Sequence, residues 1–432
     1  MHQFLKNQFF VSILSVLLLA VFSIPSLAQY ESTVTPEYVR NFFGAVHLNK
    51  VHHEYAEQVG AAWGRVGIQW RKHEPAQGDY RFVSYDSLIN SAKKHNLSIL
   101  PVLNSTAPWA SSAPDSVTKY RVRYVPSAEH TDDWKNYVEK VVTRYPNIEY
   151  FEVWNEPNID WFLHAKTNYK SYVDSILIPA AEVIHKHGRK VVGPSFTTEW
   201  PLDSWPATSR PRRHSENVAS NIKAINQWLS YHDAWKYIDI LSIHYTHGDT
   251  EKPSYPYADN MMPFYDYVYE KWIKPGKIDG IWNTEAGFSG TEAGKQGFVA
   301  LDRWEKEPLA QWAVRYTVPI LHWGIQHNWR FRDQYKVFWY HMKAGEHPRS
   351  LLNYKNGKLV PAPVGKALKT ARDLLSSGSP ITTYSQPVHV GFGLHSKDTA
   401  AINYFTPYEF KNYAFKVGDN LLTAVWMDLA KP

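Results

Sequence analysis

The 432 residues are 44% apolar, enough for a large core, which excludes a disordered chain or a disulfide-stapled miniature domain. The chain has no cysteine, so disulfides, thiolate nucleophiles and Cys-based metal sites are excluded as well. Its net charge of +6 comes from scattered Lys and Arg, without the basic stripe that nucleic-acid binding needs.

Residues 1–28 read as a Sec-type signal peptide. Lys6 supplies a positive start, 9–24 is an apolar run, and Ser26-Leu27-Ala28 offers a small-residue cleavage site before Gln29. The mature chain is then expected to be secreted or periplasmic, with no stable membrane insertion after cleavage. From about residue 40, short apolar runs alternate with longer amphipathic stretches, the pattern of βα units and a parallel sheet. Eight strands are predicted, at 42–47, 63–70, 98–103, 149–154, 190–193, 238–244, 280–283 and 325–329. Between them, 131–145 repeats Trp134, Tyr137, Val138, Val141, Val142 and Tyr145 on one helical face, with Thr131 or Asp132 as cap. A second helix spans 168–187, with a kink expected at Pro179. An eighth helix at 362–376 is closed by Gly378 and Pro380. Eight such units predict an α/β (β/α)₈ TIM barrel over 29–377. The short alternating runs at 388–395, 400–405, 413–417 and 421–426 predict a small β-rich module, 378–432, packed on the barrel.

Two of the predicted strands end in a carboxylate. Tyr150-Phe151-Glu152-Val153-Trp154 runs into Asn155-Glu156-Pro157, and Gly280-Ile281-Trp282-Asn283-Thr284 runs into Glu285. In a parallel barrel, C-terminal strand ends are where catalytic groups sit. The separation, 285 − 156 = 129 residues, exceeds the roughly 94 that three average barrel units would span. Long loops at 196–217 and 245–262 account for the excess and are expected to border a cleft. Two carboxylates facing each other across a cleft perform glycoside chemistry. A gap of about 5 Å gives retention and a wider one inversion, which spacing in the chain cannot decide. Ionising Glu156 beside Glu285 would place two negative charges together, so its pKa is expected to be raised. The 18 Trp and 28 Tyr suit both core packing and sugar stacking, with Trp109 and Trp329 as candidate platforms on strand ends three and eight. His52-His53, His185-x-His187 and His244-x-x-His247 lack carboxylate partners that would make a metal site. No metal or cofactor is expected, and the expected partner is an oligo- or polysaccharide, not nucleic acid.

Trp154-Asn155-Glu156-Pro157 and Trp282-Asn283-Thr284-Glu285 resemble the acid/base and nucleophile motifs of clan A glycoside hydrolases. Arg65-Val66-Gly67-Ile68-Gln69-Trp70 with Glu74-Pro75, and Leu100-Pro101-Val102-Leu103 with Pro108-Trp109, resemble that clan's second and third strands. The match spans about 42–375 and looks nearest to glycoside hydrolase family 39. The resemblance implies a retaining double displacement with Glu285 as nucleophile and Glu156 as acid/base. It also implies that Asn155 binds the sugar 2-hydroxyl, that Arg65 keeps Glu285 ionised, and that His244 or Tyr245 hydrogen-bonds the nucleophile. Two alternatives stand beside it: a transglycosylase using the same two glutamates, and a non-catalytic carbohydrate-binding barrel that keeps the aromatic cleft.

Overall fold

Parallel strands need a crossover that carries the chain back to the same end of the sheet, and amphipathic helices supply it here. The computed structural model describes residues 33–164, 168–198, 214–244, 246–247, 257–288, 307–327, 333–342, 350–383, 391–392 and 408–429. The predicted signal peptide lies outside them. Eight parallel strands form the barrel: β1 Phe43–Val46, β2 Trp63–Gln69, β3 Ser98–Asn104, β4 Tyr150–Val153, β5 Lys190–Thr197, β6 Ile240–His244, β7 Gly280–Phe288 and β8 Tyr335–Trp339. Each pairs with the next, and β8 closes the ring on β1 through Val337↔Phe43 and Trp339↔Ala45. Closure leaves no barrel edge to be solvated.

Seven strands lie where the sequence predicts them. The eighth does not. Residues 325–326 finish the helix Glu307–Gln326, and β8 is the run Tyr-Lys-Val-Phe-Trp that begins at Tyr335. Ile320, Leu321 and Ile325 are buried as part of that helix, whose apolar face imitates a buried strand over a short window. Trp329, expected as a platform on the eighth strand end, lies outside the described residues. The helix Thr131–Arg144 buries Trp134, Tyr137, Val138, Val141 and Val142 as expected. Its cap position is taken by His130 rather than Thr131 or Asp132, and the His130 ring bonds Asp133 at 2.8 Å. At Pro179, where a kink is expected, the helix carries a π turn, Val173–Leu177, just before the proline. A π turn accommodates the hydrogen bond that proline cannot donate.

Side chains alternate in and out along each strand. Val46, Trp63, Leu100, Tyr150, Val192, Ile240, Trp282 and Phe338, one from each strand, form a buried apolar floor inside the barrel. The rings of Tyr150 and Trp282 lie 4.8 Å apart, and those of Trp63 and Trp282 5.5 Å. Two residues further along the strands come Arg65, Glu152, Ser242 and Thr284, all buried. The interior thus changes from apolar to polar within one layer, toward the C-terminal mouth.

Beyond the last barrel helix, Pro363–Leu375, Tyr408–Val417 and Asn420–Leu429 form an antiparallel hairpin. Ile381–Thr383 and Gly391–Phe392 pair with its first strand. Thr33–Val34, from the start of the described chain, adds to Ile381–Thr383. The sheet packs on the helix Glu307–Gln326, where His322 contacts Tyr413 and Phe415 with ring centroids 5.3 and 5.2 Å away. Most of the predicted strands at 388–395 and 400–405 lies outside the described residues.

One close approach holds β7 in register with β8. A Cβ on Gly280 would stand 2.0 Å from the Gln334 carbonyl oxygen, whereas one on Gly67 would meet nothing nearer than Asn104 at 3.8 Å. Gly280→Ala must push two barrel strands apart and is expected to destabilise the protein by about 1–3 kcal/mol, the usual cost of overpacking. Gly67→Ala should leave the urea midpoint nearly unchanged. Equal midpoints for the two variants would contradict the packing described here.

Candidate active site at the barrel mouth

Arg65 sits two residues above the floor residue Trp63 on β2, so it faces the interior and is only 5% exposed. Its guanidinium engages three groups at once. Nε donates to Glu152 Oε2 at 2.5 Å, Nη1 to Glu285 Oε2 at 3.1 Å, and Nη2 to Asn155 Oδ1 at 2.7 Å. The fixed fork of donors is what makes arginine suited to this task. Glu152 also accepts a bond from Thr284 Oγ1 at 2.7 Å. Burial opposes ionisation of Glu152, but the charge of Arg65, helped by His244 and by hydrogen bonds from Thr284 and Ser195, holds its pKa below the usual carboxylate range. The sequence reading did not single out Glu152. The signal was available, because an acidic residue at an inward position of an otherwise apolar strand needs a buried partner.

Glu285 reaches the mouth through an irregularity in β7. Along β8, Val337 pairs with Asn283 but Trp339 pairs with Ala286, so three steps on β7 match two on β8. A bulge of this kind re-aims a side chain. Thr284 keeps the inward phase and bonds Glu152, while the next residue, Glu285, also turns to the interior and meets Arg65. Asn283 faces outward and donates to Tyr316 Oη at 2.6 Å.

Glu156 is placed by a strained turn after β4. Trp154 and Glu156 have φ of 72° and 42°, in the left-handed region that costs an L residue roughly 1–2 kcal/mol. Neighbouring strands hold the turn. Trp154 N donates to Leu103 O at 2.8 Å and Glu156 N to Ser195 O at 3.1 Å. The Asn158 side chain exchanges two hydrogen bonds with the Thr197 backbone. Glu156 Oε1 then lies 2.9 Å from His244 Nδ1, and the same nitrogen is 3.6 Å from Glu285 Oε2. One donor atom each from Glu156, His244 and Glu285 lies within 4.8 Å of the others.

The carboxyl of Glu156 is pushed up to about 7, first by burial and then by the negative charge of Glu152, against the opposing pull of Arg65. Its pKa is raised as expected, but enclosure dominates and the repelling charge is Glu152, not Glu285. Burial, and after it the Arg65 charge, lower His244 to about 4 despite the raising effect of Glu285 and Glu152. At neutral pH this imidazole is uncharged. It bridges toward both glutamates, and its hydrogen bond goes to the acid/base candidate rather than to the nucleophile candidate.

The predicted residues Arg65, Asn155, Glu156, His244 and Glu285 are therefore brought together. Trp109 is partly buried, donates from Nε1 to Glu74 O at 3.0 Å, and sets its ring against Trp70 and His130. Tyr245 and most of the loops 196–217 and 245–262 lie outside the described residues. Among the described residues, Glu156, His244 and Glu285 form the group whose donors converge closely enough for a metal ion, and an ion there would compete with Arg65 for Glu285. His185 and His187 instead pair separately with Asp239 and Glu139.

No curated protein matches the sequence. The glycosyl hydrolase family 10 model matches residues 36–176, roughly a third of the chain, which includes Arg65, Asn155 and Glu156 but stops before Glu285. Among solved structures, the fold is similar to a family 39 glycoside hydrolase from the gut symbiont Bacteroides cellulosilyticus WH2. The TM-score is 0.53 at 13% identity, covering 92% of this chain and 82% of that one. It is also similar to a GH39 β-xylosidase from Caulobacter crescentus, with TM-score 0.52, 13% identity, and 89% and 80% coverage. A conserved exported protein from Bacteroides fragilis gives TM-score 0.55 at 10% identity, with 93% and 88% coverage. In its TIM-barrel fold and in the sequence of its first barrel half, the chain is similar to clan A glycoside hydrolases, with family 39 among its structural neighbours.

Proposed function

We propose that this protein is a retaining glycoside hydrolase acting on an oligo- or polysaccharide. The observation that carries this reading is the convergence of Glu156 and Glu285 within 4.8 Å at one barrel mouth, with a buried guanidinium on Glu285. Such a gap suits direct attack by one carboxylate and leaves little room for the intervening water of an inverting mechanism. Arg65 stabilises the anionic form of Glu285, which attacks the anomeric carbon. Glu156, kept protonated by enclosure, gives its proton to the departing glycosidic oxygen. A glycosyl ester on Glu285 results. Glu156, now ionised, takes a proton from water as the water oxygen attacks the same carbon, releasing Glu285 and a sugar of retained configuration. Arg65 fixes the Asn155 oxygen, which leaves its amide N–H groups to donate to a sugar hydroxyl.

The two glutamates should fail differently. Glu285→Ala should abolish turnover of every glycoside. Glu156→Ala should still form the glycosyl-enzyme from a nitrophenyl glycoside, and azide should release it as a glycosyl azide of retained configuration, read by NMR. An inverted azide product from Glu156→Ala, or the same azide response in both variants, would overturn the assignment.

The proton on Glu156 also sets the pH response. Activity on a glycoside with a poor leaving group should fall as pH rises through about 7, because the acid is then ionised. Replacing Glu152 removes a charge that raises the Glu156 pKa, so Glu152→Gln should move this basic limb to lower pH. A limb that stays in place in Glu152→Gln would sink the electrostatic account.

We also propose that the protein is exported, on the strength of the signal-like residues 1–28. Among the described residues no helix is long and apolar enough to cross a membrane. N-terminal sequencing of the protein expressed with its leader should begin near Gln29. Retention of the leader on the mature chain would count against export by this route.

A further inference from the structure

The rim of the mouth beside Glu156 carries a feature that the reaction above does not use. Tyr120 and Trp161 are 60% and 62% exposed, whereas most other tryptophans among the described residues are buried. Arg123 lies between them. Its Cζ stands 4.0 Å from the Tyr120 ring centroid and 4.2 Å from that of Trp161. The two rings come from different βα loops, one following β3 and one following β4, so both belong to the catalytic face.

This cluster is built in advance of any ligand. Tyr120 has a φ of 64°, a conformation that is uncommon for a bulky residue and that tends to mark functional sites. Arg121 braces the loop by donating from Nη1 to the carbonyl of Pro114 at 3.1 Å, and Ser111 Oγ donates to Arg121 O at 2.7 Å. His164 N donates to Arg123 O at 2.8 Å, which ties the two loops together. Below the rim, Leu163 is fully buried and Trp154 Nε1 donates to Phe162 O at 3.2 Å, so the turn that presents Trp161 is anchored.

Arg123 has no acidic partner among the described residues. Asp160, the carboxylate on the Trp161 turn, is taken by His164 Nδ1 at 2.6 Å. A guanidinium is planar, and with its Cζ against two rings its edge N–H donors offer the fork that binds a carboxylate in bidentate fashion. The exposed ring faces beside it suit the C–H face of a sugar. Trp161 is five residues beyond Glu156, and consecutive turns, Ile159 N to Glu156 O and Phe162 N to Ile159 O, connect them. The acid/base group must touch the bond to the leaving group, so its own loop borders the leaving-group side of the cleft.

We infer that Tyr120, Arg123 and Trp161 form a subsite for the leaving-group portion of an acidic glycan, with Arg123 holding a uronate carboxylate and the two rings stacking on sugars. The position on the leaving-group side rests on the glycosidase reading. The ligand chemistry rests on the cluster itself.

The test is direct binding. Oligosaccharides bearing uronate units, and neutral oligosaccharides of the same length, are titrated against full-length Glu285→Gln protein by calorimetry, with and without a second substitution. Uronate oligosaccharides should bind more tightly than their neutral counterparts. Arg123→Gln should weaken the uronate set by about tenfold or more, the scale of a charge-assisted pair, and spare the neutral set. Arg123→Lys, which keeps the charge and loses the planar fork, should fall between. Trp161→Ala should weaken both sets. Melting curves establish that each variant is folded. No preference for uronates in the parent protein, or equal uronate binding by Arg123→Gln, overturns the inference. Aryl-glycoside turnover by the wild type separates the two readings. Uronate binding without turnover removes the glycosidase assignment alone, and turnover without uronate preference removes the subsite alone.

Discussion

The structure at the mouth depends on one buried guanidinium. Arg65 joins β2 to Glu152 at the end of β4, to Asn155 just beyond it and to Glu285 on β7. These strands are not neighbours in the ring, so the interaction spans the barrel interior. Taking a charge out of water costs several kcal/mol, and only good geometry and further hydrogen bonds repay it. Here Glu152 is fully buried, and Thr284 satisfies its second oxygen. Removing either partner would leave a buried charge without compensation, a loss of about 3–5 kcal/mol. The same guanidinium pairs with Glu285 and fixes the Asn155 amide, so the stability of the barrel interior and the layout of the candidate site rest on the same three hydrogen bonds.

The floor below makes this possible. Trp63, Tyr150, Trp282 and Phe338 fill the barrel width with rings, which excludes water from beneath the polar layer. Strand periodicity then puts Arg65, Glu152 and Thr284 directly above Trp63, Tyr150 and Trp282. In a low-dielectric setting their interactions are stronger than they would be in water, and an unpaired group would be correspondingly costly. Local strain completes the arrangement. The bulge in β7 and the left-handed residues Trp154 and Glu156 are irregularities that neighbouring strands hold in place, and both occur where a carboxylate must leave the regular alternation.

His244 shows how environment divides roles between similar groups. Two carboxylates lie within reach of its Nδ1, at 2.9 and 3.6 Å. Burial and the adjacent guanidinium keep the ring neutral, so it adds no positive charge that would favour ionisation of Glu156. A neutral ring can accept from a protonated Glu156 or donate to an ionised one by changing tautomer, as the proposed acid/base role of Glu156 requires. Glu156 is enclosed and raised, whereas Glu285 stands against a cation. The same residue type thus meets opposite surroundings a few ångströms apart.

The sequence by itself determined the alternation of strands and helices, seven of the eight barrel strands, the buried face of Thr131–Arg144, and the two carboxylates at strand ends. These are local properties. Periodicity and strand-end motifs are carried by residues close together in the chain, and burial of one face is enough to enforce them. The eighth strand, expected at 325–329, escaped because so short a run at the end of an apolar stretch satisfies helix and strand patterns alike, and only the pairing of Tyr335–Trp339 with β7 and β1 separates them. Glu152 escaped for a related reason: its partners lie 87 and 132 residues away in the chain. The gap between Glu156 and Glu285, the cause of the raised Glu156 pKa, and the choice of Glu156 as the hydrogen-bond partner of His244 were decided by tertiary structure alone. Each depends on strand register across a closed ring and on exclusion of water by a shared floor, and neither is a property of any one segment.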